Sequence, residues 1–420
     1  MAGRVAGRGG FDPHPLPPLL LCTKKGLGKD MLPDANDQYT PIITRFFRID
    51  DTTWGEEKKG YLVRYRGQLY NQDSAMVYDQ LAQALKPLNV TPLFRLEENR
   101  QVILLMNGTI QPKPTKIWGN IIFFVLTVLS VMFVGGIYSG TPTPTTVDGW
   151  VKFLLGGLPF AMALLAILVC HEFGHYLAGR YHKTAVTLPF FIPFPFSYFG
   201  TMGAFIQLKE PPKNRRILLD IGIAGPLAGL LVAIPVLLLG LYLSPVDKIP
   251  FLLPQGQIFE GNSILYLLLK FIVKGQLLPQ PFTYAGLNPI IYWIRYFFTG
   301  APLPAGGLDV SLHPIAWAGW AGLLVTSLNL IPAGQLDGGH IMYVLLGRRT
   351  SRLLPFILVA LLALGLVWNG WWLWAALIFL LGRYHAEPLD QITPLDPKRQ
   401  ALAVLGVIVF ILVFMPVPLV

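Results

Sequence analysis

The strongest chemical signal in the sequence is the run His171-Glu172-Phe173-Gly174-His175. If this run is helical, residues i and i+4 lie on one face, so both imidazoles can reach one metal ion. Glu172 lies beside them, where its carboxylate can take a proton from a water molecule at the metal. Imidazole nitrogens and carboxylate oxygens suit Zn²⁺, and a catalytic zinc keeps one position open for water. The run therefore predicts a catalytic metal site with Glu172 as the base.

A third ligand is expected from a later segment, Asn329 to His340, with the sequence NLIPAGQLDGGH. Asp337 follows an apolar stretch and precedes two glycines, which allow the backbone of a neighbouring segment to approach closely. Two helices that end on the same side of a membrane can bring this carboxylate to the two histidines. We therefore predict that His171, His175 and Asp337 bind one Zn²⁺ ion per chain.

The composition places these residues in a membrane protein. The chain has 420 residues, of which 53% are hydrophobic and 13% charged, about half the charged fraction of soluble domains. Apolar runs long enough for a bilayer recur from Ile117 onwards. The net charge of +10 is attributed to basic residues that set the orientation in the membrane, so no nucleic-acid partner is expected. Ionisable residues inside such runs are costly unless they face a polar interior, which favours a functional site.

The apolar runs predict an all-α polytopic protein with six to seven transmembrane helices. Their expected bounds are Ile117–Tyr138, Val151–Leu177, Ile217–Leu243, Pro314–Ile331, Leu353–Trp368, Trp371–Leu381 and Ala401–Met415. The segment Thr187–Tyr198 holds three prolines and cannot be a continuous helix, so it is expected to be a re-entrant, β-like segment. Residues 244–312 form a long insertion with weaker apolar stretches.

Three regions are expected along the chain. Residues 1–40 are a flexible tail, 41–115 a small α+β soluble domain, and 116–420 the transmembrane metalloprotease domain, with its core at 151–348. Basic residues concentrate in alternate segments between the spans, whereas the short loops on the other side hold none. The positive-inside rule therefore predicts a multi-pass protein with its N-terminal domain in the cytoplasm, in the cell membrane if the source is bacterial.

Two motifs, HEFGHY at 171–176 and NLIPAGQLDGGH at 329–340, resemble those of the site-2 protease family of intramembrane metalloproteases. The stretches FGTMGAFIQLK and GIAGPLAG strengthen the likeness, which is greatest to the chloroplast and cyanobacterial branch and covers about Phe153–Arg348. The resemblance implies zinc at the three proposed ligands and Glu172 as the catalytic base. It also implies cleavage of single-pass membrane proteins in regulated proteolysis, with an upstream site-1-type protease as a further partner. PDZ and CBS patterns, which many relatives carry, are absent from this sequence.

Substrate contacts are predicted at two places. The small, strand-like segment 200–206, with Gly200, Gly203 and Ala204, can offer an edge to an extended substrate. Asn329 can hydrogen-bond the substrate backbone, because an unpaired amide within a span is costly. Packing of a re-entrant loop and a helix–helix hydrogen bond are the structural alternatives for these two features.

Three other functions share the HExxH motif or its residue types. A membrane protease that trims prenylated C-termini also uses HExxH, but its third ligand is expected to be a glutamate in a downstream helix. A transporter or ion relay could use His171, Glu172 and His175 to carry protons or metal ions. A scaffold without activity is disfavoured, because all four catalytic positions are present. The glycines of GIAGPLAG indicate close helix packing rather than phosphate binding, and the sequence indicates no oligomeric state.

Overall fold

The computed structural model describes residues 37–55, 60–112, 114, 117–142, 144–252, 258–382 and 387–420. Residues 1–36 of the flexible tail predicted for residues 1–40 lie outside the described residues. Within the described part, most residues are helical, and the strands form one four-stranded and two two-stranded sheets.

The N-terminal region is a helix packed on an antiparallel sheet. Its elements are helix α1 (Thr40–Ile43), strands β1 (Phe47–Trp54) and β2 (Val63–Leu69), helix α2 (Ser74–Leu85), and strands β3 (Val90–Glu97) and β4 (Arg100–Asn107). The strand order is β1-β2-β4-β3. Helix α2 begins where the Asp73 carboxylate accepts the N–H of Met76. Its buried face, Val77, Leu81 and Leu85, packs in the core of this region.

Three helices in the described part are long and apolar enough to cross a membrane: α3 (Ile117–Tyr138), α5 (Leu158–Tyr181) and α6 (Arg215–Leu243). They follow the first three predicted spans. The later apolar helices are shorter, so the total of six to seven spans stays a prediction.

The second predicted span, Val151–Leu177, is wrong at its start. A separate helix, α4 (Val147–Gly156), precedes α5, and the chain breaks between them at Gly157. A side chain at Gly157 would collide with the carbonyl oxygen of Met132 in α3, so the break is a point where two backbones touch. Pro159 in the first turn then starts α5, because proline suits a helix start and not a helix interior.

The proline-rich segment after α5 is a β-hairpin of strands β5 (Phe190–Pro193) and β6 (Thr201–Phe205). The side-chain amide of Asn120, near the start of α3, donates to the carbonyls of Leu188 and Pro189. At the other end of α3, the Tyr138 hydroxyl donates to the carbonyl of Tyr198 at the hairpin tip. The hairpin therefore runs along α3 over most of its length, and the β-like character expected for this segment is observed.

The insertion after α6 forms a small subdomain at one end of the helical bundle. It comprises strand β7 (Val246–Lys248), helices α7 (Ile264–Lys274) and α8 (Pro289–Thr299), and strand β8 (Leu308–Val310). Strands β7 and β8 pair antiparallel and close the insertion. The insertion leaves the bundle where α6 ends and returns where the next helix begins, so it caps that end.

The remaining helices are α9 (Pro314–Asn329), α10 (Asp337–Leu346), α11 (Leu354–Gly365), α12 (Gly370–Leu381) and α13 (Pro397–Val413). Between α12 and α13, residues 387–393 form a segment that we call the strap. Its Leu389 carbonyl accepts the N–H of Phe94 in β3 at 2.9 Å, and its Leu389 N–H donates to Pro212 at 3.0 Å. The strap therefore joins the N-terminal sheet to the segment before α6.

Helices α5, α6 and α9 form the centre of the bundle and hold the site. Small residues bring them close together, because side chains at Gly240 and Gly319 would collide with the backbone of Ala316 and Leu237. Large apolar side chains such as Phe160 and Trp320 fill the space around them and are fully buried.

Candidate metal centre

Three ligand atoms form an equilateral triangle in the bundle. His171 Nε2, His175 Nε2 and Asp337 Oδ2 are 3.3 Å from one another in each pair. A tetrahedral zinc ion with bonds of about 2.0–2.1 Å separates its ligand atoms by about 3.3 Å. The three side chains therefore fit one zinc ion, and they leave its fourth position open.

The local sequence explains why these atoms meet. His171 and His175 are one helical turn apart in α5, as the HExxH spacing predicts. Asp337 is the first residue of α10, directly after a tight turn that follows α9. Side chains at Gly338 and Gly339 would collide with backbone carbonyls of that turn. The two glycines after Asp337 therefore allow the turn that brings its carboxylate to the histidines.

Helix α6 supports the two imidazoles from behind. A side chain at Gly225 would overlap the His175 ring, and one at Gly229 would lie 3.0 Å from His171 Nδ1. His175 Nδ1 lies 2.7 Å from the carbonyl oxygen of Ile221. This oxygen accepts only from an Nδ1–H tautomer, which leaves Nε2 free to bind a metal. The GIAGPLAG stretch is thus a packing motif, as expected, and its glycines make room for the ligands.

The third ligand lies against both imidazoles. Asp337 Oδ2 is 3.3 Å from the Nε2 atom of each histidine. The carboxylate form of this side chain is the one that binds a metal ion.

Glu172 lies in the same cavity as the ligands. Its side chain is buried, and the backbone of Ile206, just after β6, hydrogen-bonds to it. The cavity has a volume of about 170 Å³. Its lining includes the four residues of the predicted centre, three consecutive residues at the end of β6, Asn329, Gln335 and His340.

The predicted substrate contacts divide into two groups. The side-chain nitrogen of Asn329 lies 3.2 Å from His171 Nε2, and Ala204 lines the cavity. An added side chain at Gly203 would meet no atom within 4 Å, so this position faces open space. Gly200 does not line the cavity and packs against Ser130 in α3. The structure therefore brings Asn329 and Ala204 to the centre and leaves Gly200 apart from it.

Two cavity residues were not predicted as part of the site. His340 lies one turn after Asp337 in α10. Gln335 lies in the turn before Asp337. The signal that could have found both is their position within the NLIPAGQLDGGH motif itself.

The centre lies deep in an apolar helix. His171 is 13 residues after Leu158, which corresponds to about 20 Å along α5. The hydrocarbon core of a bilayer is about 30 Å thick, so a membrane around α5 would place the ligands inside its span. Among the described residues, His171, His175 and Asp337 are the group of potential ligands whose atoms lie close enough together to hold one metal ion.

Comparison with known proteins gives a consistent result. Residues 159–366 match the sequence model of peptidase family M50. The probable zinc metalloprotease EGY2, chloroplastic, of Arabidopsis thaliana is 29% identical over 328 residues, 77% of this chain and 53% of that protein. EGY1 of the same plant is 30% identical over 75% of this chain and 56% of that protein. EGY2 of Oryza sativa subsp. indica is 28% identical over 78% of this chain and 55% of that protein. The chain spans about half the length of these curated relatives, and no solved structure matches it significantly.

An HExxH helix, a distant aspartate that completes the ligand set and a bundle of apolar helices define a membrane protein with a metalloprotease-type centre. Residues 159–366 form a domain of peptidase family M50, and the chain is similar to the chloroplast zinc metalloproteases. The resemblance to site-2 proteases is therefore confirmed. Zinc as the cofactor is confirmed as well, by this family and by the ligand cluster.

Proposed function

We propose that the protein is an intramembrane zinc endopeptidase that hydrolyses peptide bonds within transmembrane segments of single-pass membrane proteins. The observation that carries the proposal is the triangle of His171, His175 and Asp337 with Glu172 beside it, in which three of the four residues belong to an apolar helix long enough to cross a membrane. A site at this depth meets the transmembrane segment of a substrate more readily than a soluble chain.

The residues of the centre divide the chemistry among them. When bound, zinc supplies a Lewis acid for the scissile carbonyl and lowers the pKa of the attacking water. Glu172 takes the proton from that water and returns it to the leaving amine. Its hydrogen bond with Ile206 fixes the carboxylate at the end of β6. Asn329 points its amide at the same cavity, where it can donate to the oxygen that becomes negative.

We propose that the substrate binds along the second edge of strand β6. Strand β6 pairs on one side with β5, and the described residues leave its other edge unpaired. A substrate helix must unwind before its peptide bonds can react, and an extended segment can add to this edge as a further strand. Ala204 and Phe205 line the cavity at the end of the edge, so the bound strand would pass the metal centre.

We infer from the charge distribution of the sequence that the N-terminal region lies on the cytoplasmic side. The same end of the bundle holds the start of α6, with Arg215 and Arg216, and the start of α13. In regulated proteolysis, cleavage here would release a cytoplasmic segment after an upstream site-1-type protease has shortened the other side.

The test separates metal binding from the proton transfer. Purified wild type and Glu172→Gln are compared for bound zinc and for cleavage of a model transmembrane substrate. We expect about one zinc per chain in both proteins and a loss of cleavage of at least about 100-fold in the variant, since general base catalysis contributes about 10²–10⁴-fold. Glu98→Gln, in an exposed turn, is the matched control and should cleave as wild type.

Two outcomes would contradict the proposal. Wild type that binds zinc stoichiometrically but carries metal ions or protons across vesicles without cutting any helix would favour the ion relay. Cleavage of prenylated C-terminal peptides in place of transmembrane segments would favour the other class of membrane protease.

A further inference from the structure

A second, larger cavity lies at the opposite end of the bundle from the metal centre. Its volume is about 500 Å³, and it opens between the insertion and the ends of α3 and α9. Tyr138 is the last residue of α3 and Trp317 lies in the first turn of α9, whereas the metal centre adjoins the last residue of α9, Asn329. The two cavities are therefore separated by the length of α9.

Two carboxylates line the cavity, and a buried cation outside the lining pairs with both of them. Glu260 and Asp309 line it, and the ammonium of Lys270, which is fully buried, lies 3.9 Å and 3.4 Å from one oxygen of each. The same Glu260 oxygen accepts the hydroxyl of Tyr266. The second oxygen of each carboxylate makes no hydrogen bond or ion pair to another of the described residues. With both acids ionised, this cluster has one negative charge in excess.

The wall of the cavity suits an organic cation. Three aromatic residues, Tyr138, Phe259 and Trp317, line the same cavity as the two carboxylates. Aromatic faces attract alkylammonium and guanidinium groups, and their edges cover the apolar stem of such a side chain. The rim residues Asp247 and Lys248 are exposed and cancel in charge.

We propose that this cavity binds a lysine or arginine side chain of the substrate polypeptide, which lies along the hairpin β5–β6. The inference rests on the proposed function, because it assumes that a polypeptide occupies β6. The hairpin links the two cavities: residues at the end of β6 line the metal cavity, and the carbonyl of Tyr198 at its tip is bonded to Tyr138 of the second cavity.

The geometry fixes how far this side chain lies from the scissile bond. From Trp317 to Asn329, α9 rises over 12 residues, or about 18 Å. That distance corresponds to about 12 residues of a helical substrate or about 5–6 of an extended one. A basic residue between about 6 and 12 positions from the scissile bond, towards the end of the bundle with the insertion, is therefore a specificity determinant.

The binding should depend on pH. Burial and then the charge of Asp309 raise the pKa of Glu260 to about 7, against the opposing effect of Lys270. The charged and titratable groups that face Glu260 are Asp309 from β8, Lys270 and Tyr266 from α7, and Tyr296 from α8. Because the cation requires the ionised form, its affinity should rise as the pH increases through about 7.

The first experiment needs no proteolysis. Saturation-transfer NMR measures n-butylammonium binding to the purified full chain in detergent, for wild type, for Glu260→Gln/Asp309→Asn and for Asp148→Asn. Asp148 is an exposed carboxylate of α4 that pairs with Lys152 and serves as the matched control. We expect transfer in wild type and the control, stronger at pH 8 than at pH 6, and at least about tenfold weaker in the double variant. Equal transfer in all three proteins would overturn the inference.

The second experiment changes the substrate and leaves the protein intact, so it does not depend on the folding of a variant. A model transmembrane substrate carries one lysine, moved through positions 6 to 12 from the cleavage site, or glutamine at the same position. We expect the best lysine to lower KM about tenfold with kcat unchanged. Identical KM values for lysine and glutamine at every position would overturn the inference alone. Probe binding without cleavage of any helix would leave the cation site in place and contradict the proposed function.

Discussion

The glycine behind the second histidine gives the sharpest test of the metal centre. A methyl group at Gly225 would lie 2.0 Å from His175 Nε2, whereas ordinary contact begins near 3.4 Å. The imidazole or helix α6 must therefore move by about 1.4 Å. Because Nε2 is itself a corner of the 3.3 Å triangle, a shift of this size breaks the ligand set.

The expected loss for Gly225→Ala is larger than that of an indirect change. Substitutions of groups that only orient a metal ligand lower metal affinity about 10–100-fold. Displacing the ligand itself should lower the zinc affinity by at least about 100-fold. Intrinsic helix propensity acts in the opposite direction, since alanine in place of glycine favours a helix by about 1 kcal/mol. A weakened helix therefore cannot explain the loss.

Alanine substitutions at two other glycines should have smaller effects on the zinc affinity. At Gly229 the added methyl would lie 3.0 Å from His171 Nδ1, so a shift of a few tenths of an ångström suffices. At Gly119 in α3 it would meet no atom within 4 Å. We expect the zinc affinity to decrease in the order Gly119→Ala, which equals wild type, then Gly229→Ala, then Gly225→Ala.

Competition with a zinc chelator of known affinity measures the three variants, and circular dichroism checks that each is helical. Wild-type affinity in a folded Gly225→Ala protein would refute the assignment of His175 as a ligand held against α6. An equal loss in Gly119→Ala would show that any added methyl in the bundle weakens zinc binding, and the steric reasoning would fail.

Three further results are expected. Arg95→Met removes a guanidinium bonded to three backbone carbonyls of β3 and the strap; it should cost about 2–4 kcal/mol and speed hydrogen exchange of the Gln391 amide. Ser130→Ala removes a 2.6 Å hydrogen bond to the Gly200 carbonyl, which keeps the N–H of Phe194 at 3.1 Å, so thermal unfolding should show a loss of about 0.5–1.5 kcal/mol with zinc affinity unchanged. Because burial raises the pKa of Glu260 to about 7, its contribution to stability is full below pH 4.5 and declines up to about pH 7; thermal unfolding of Glu260→Gln should lack this slope.

Elements with strong local signals were predictable. Helix α2 has its apolar spacing and its Asp73 cap in the sequence, and both are observed. Strands β3 and β4 flank a polar turn in the sequence, and they pair antiparallel in the structure. His313 caps the start of α9, because its Nδ1 accepts the N–H of Ile315. The HExxH spacing alone places two imidazoles on one face of α5.

Features that depend on distant contacts were not predictable. Strand β1 has a bulge between Ile49 and Asp51, so its residues do not alternate along the sequence. The break at Gly157 exists because the backbone of α3 passes there; Pro159 is a local signal for a helix start, but the contact with α3 depends on the fold. The glycines of α6 indicate packing, but only the fold shows that they pack on His171 and His175.

The strap also determines when the N-terminal sheet can be completed. Arg95 binds the carbonyl of Leu389, a residue 294 positions later. During synthesis the ribosome therefore exposes β3 with an open edge while nearly all the apolar helices are still being made. An open edge can pair with another chain, so this interval is when a nascent chain is most exposed to misassembly. The strap thus reaches the edge of β3 only after the helices α3 to α12 have been synthesised.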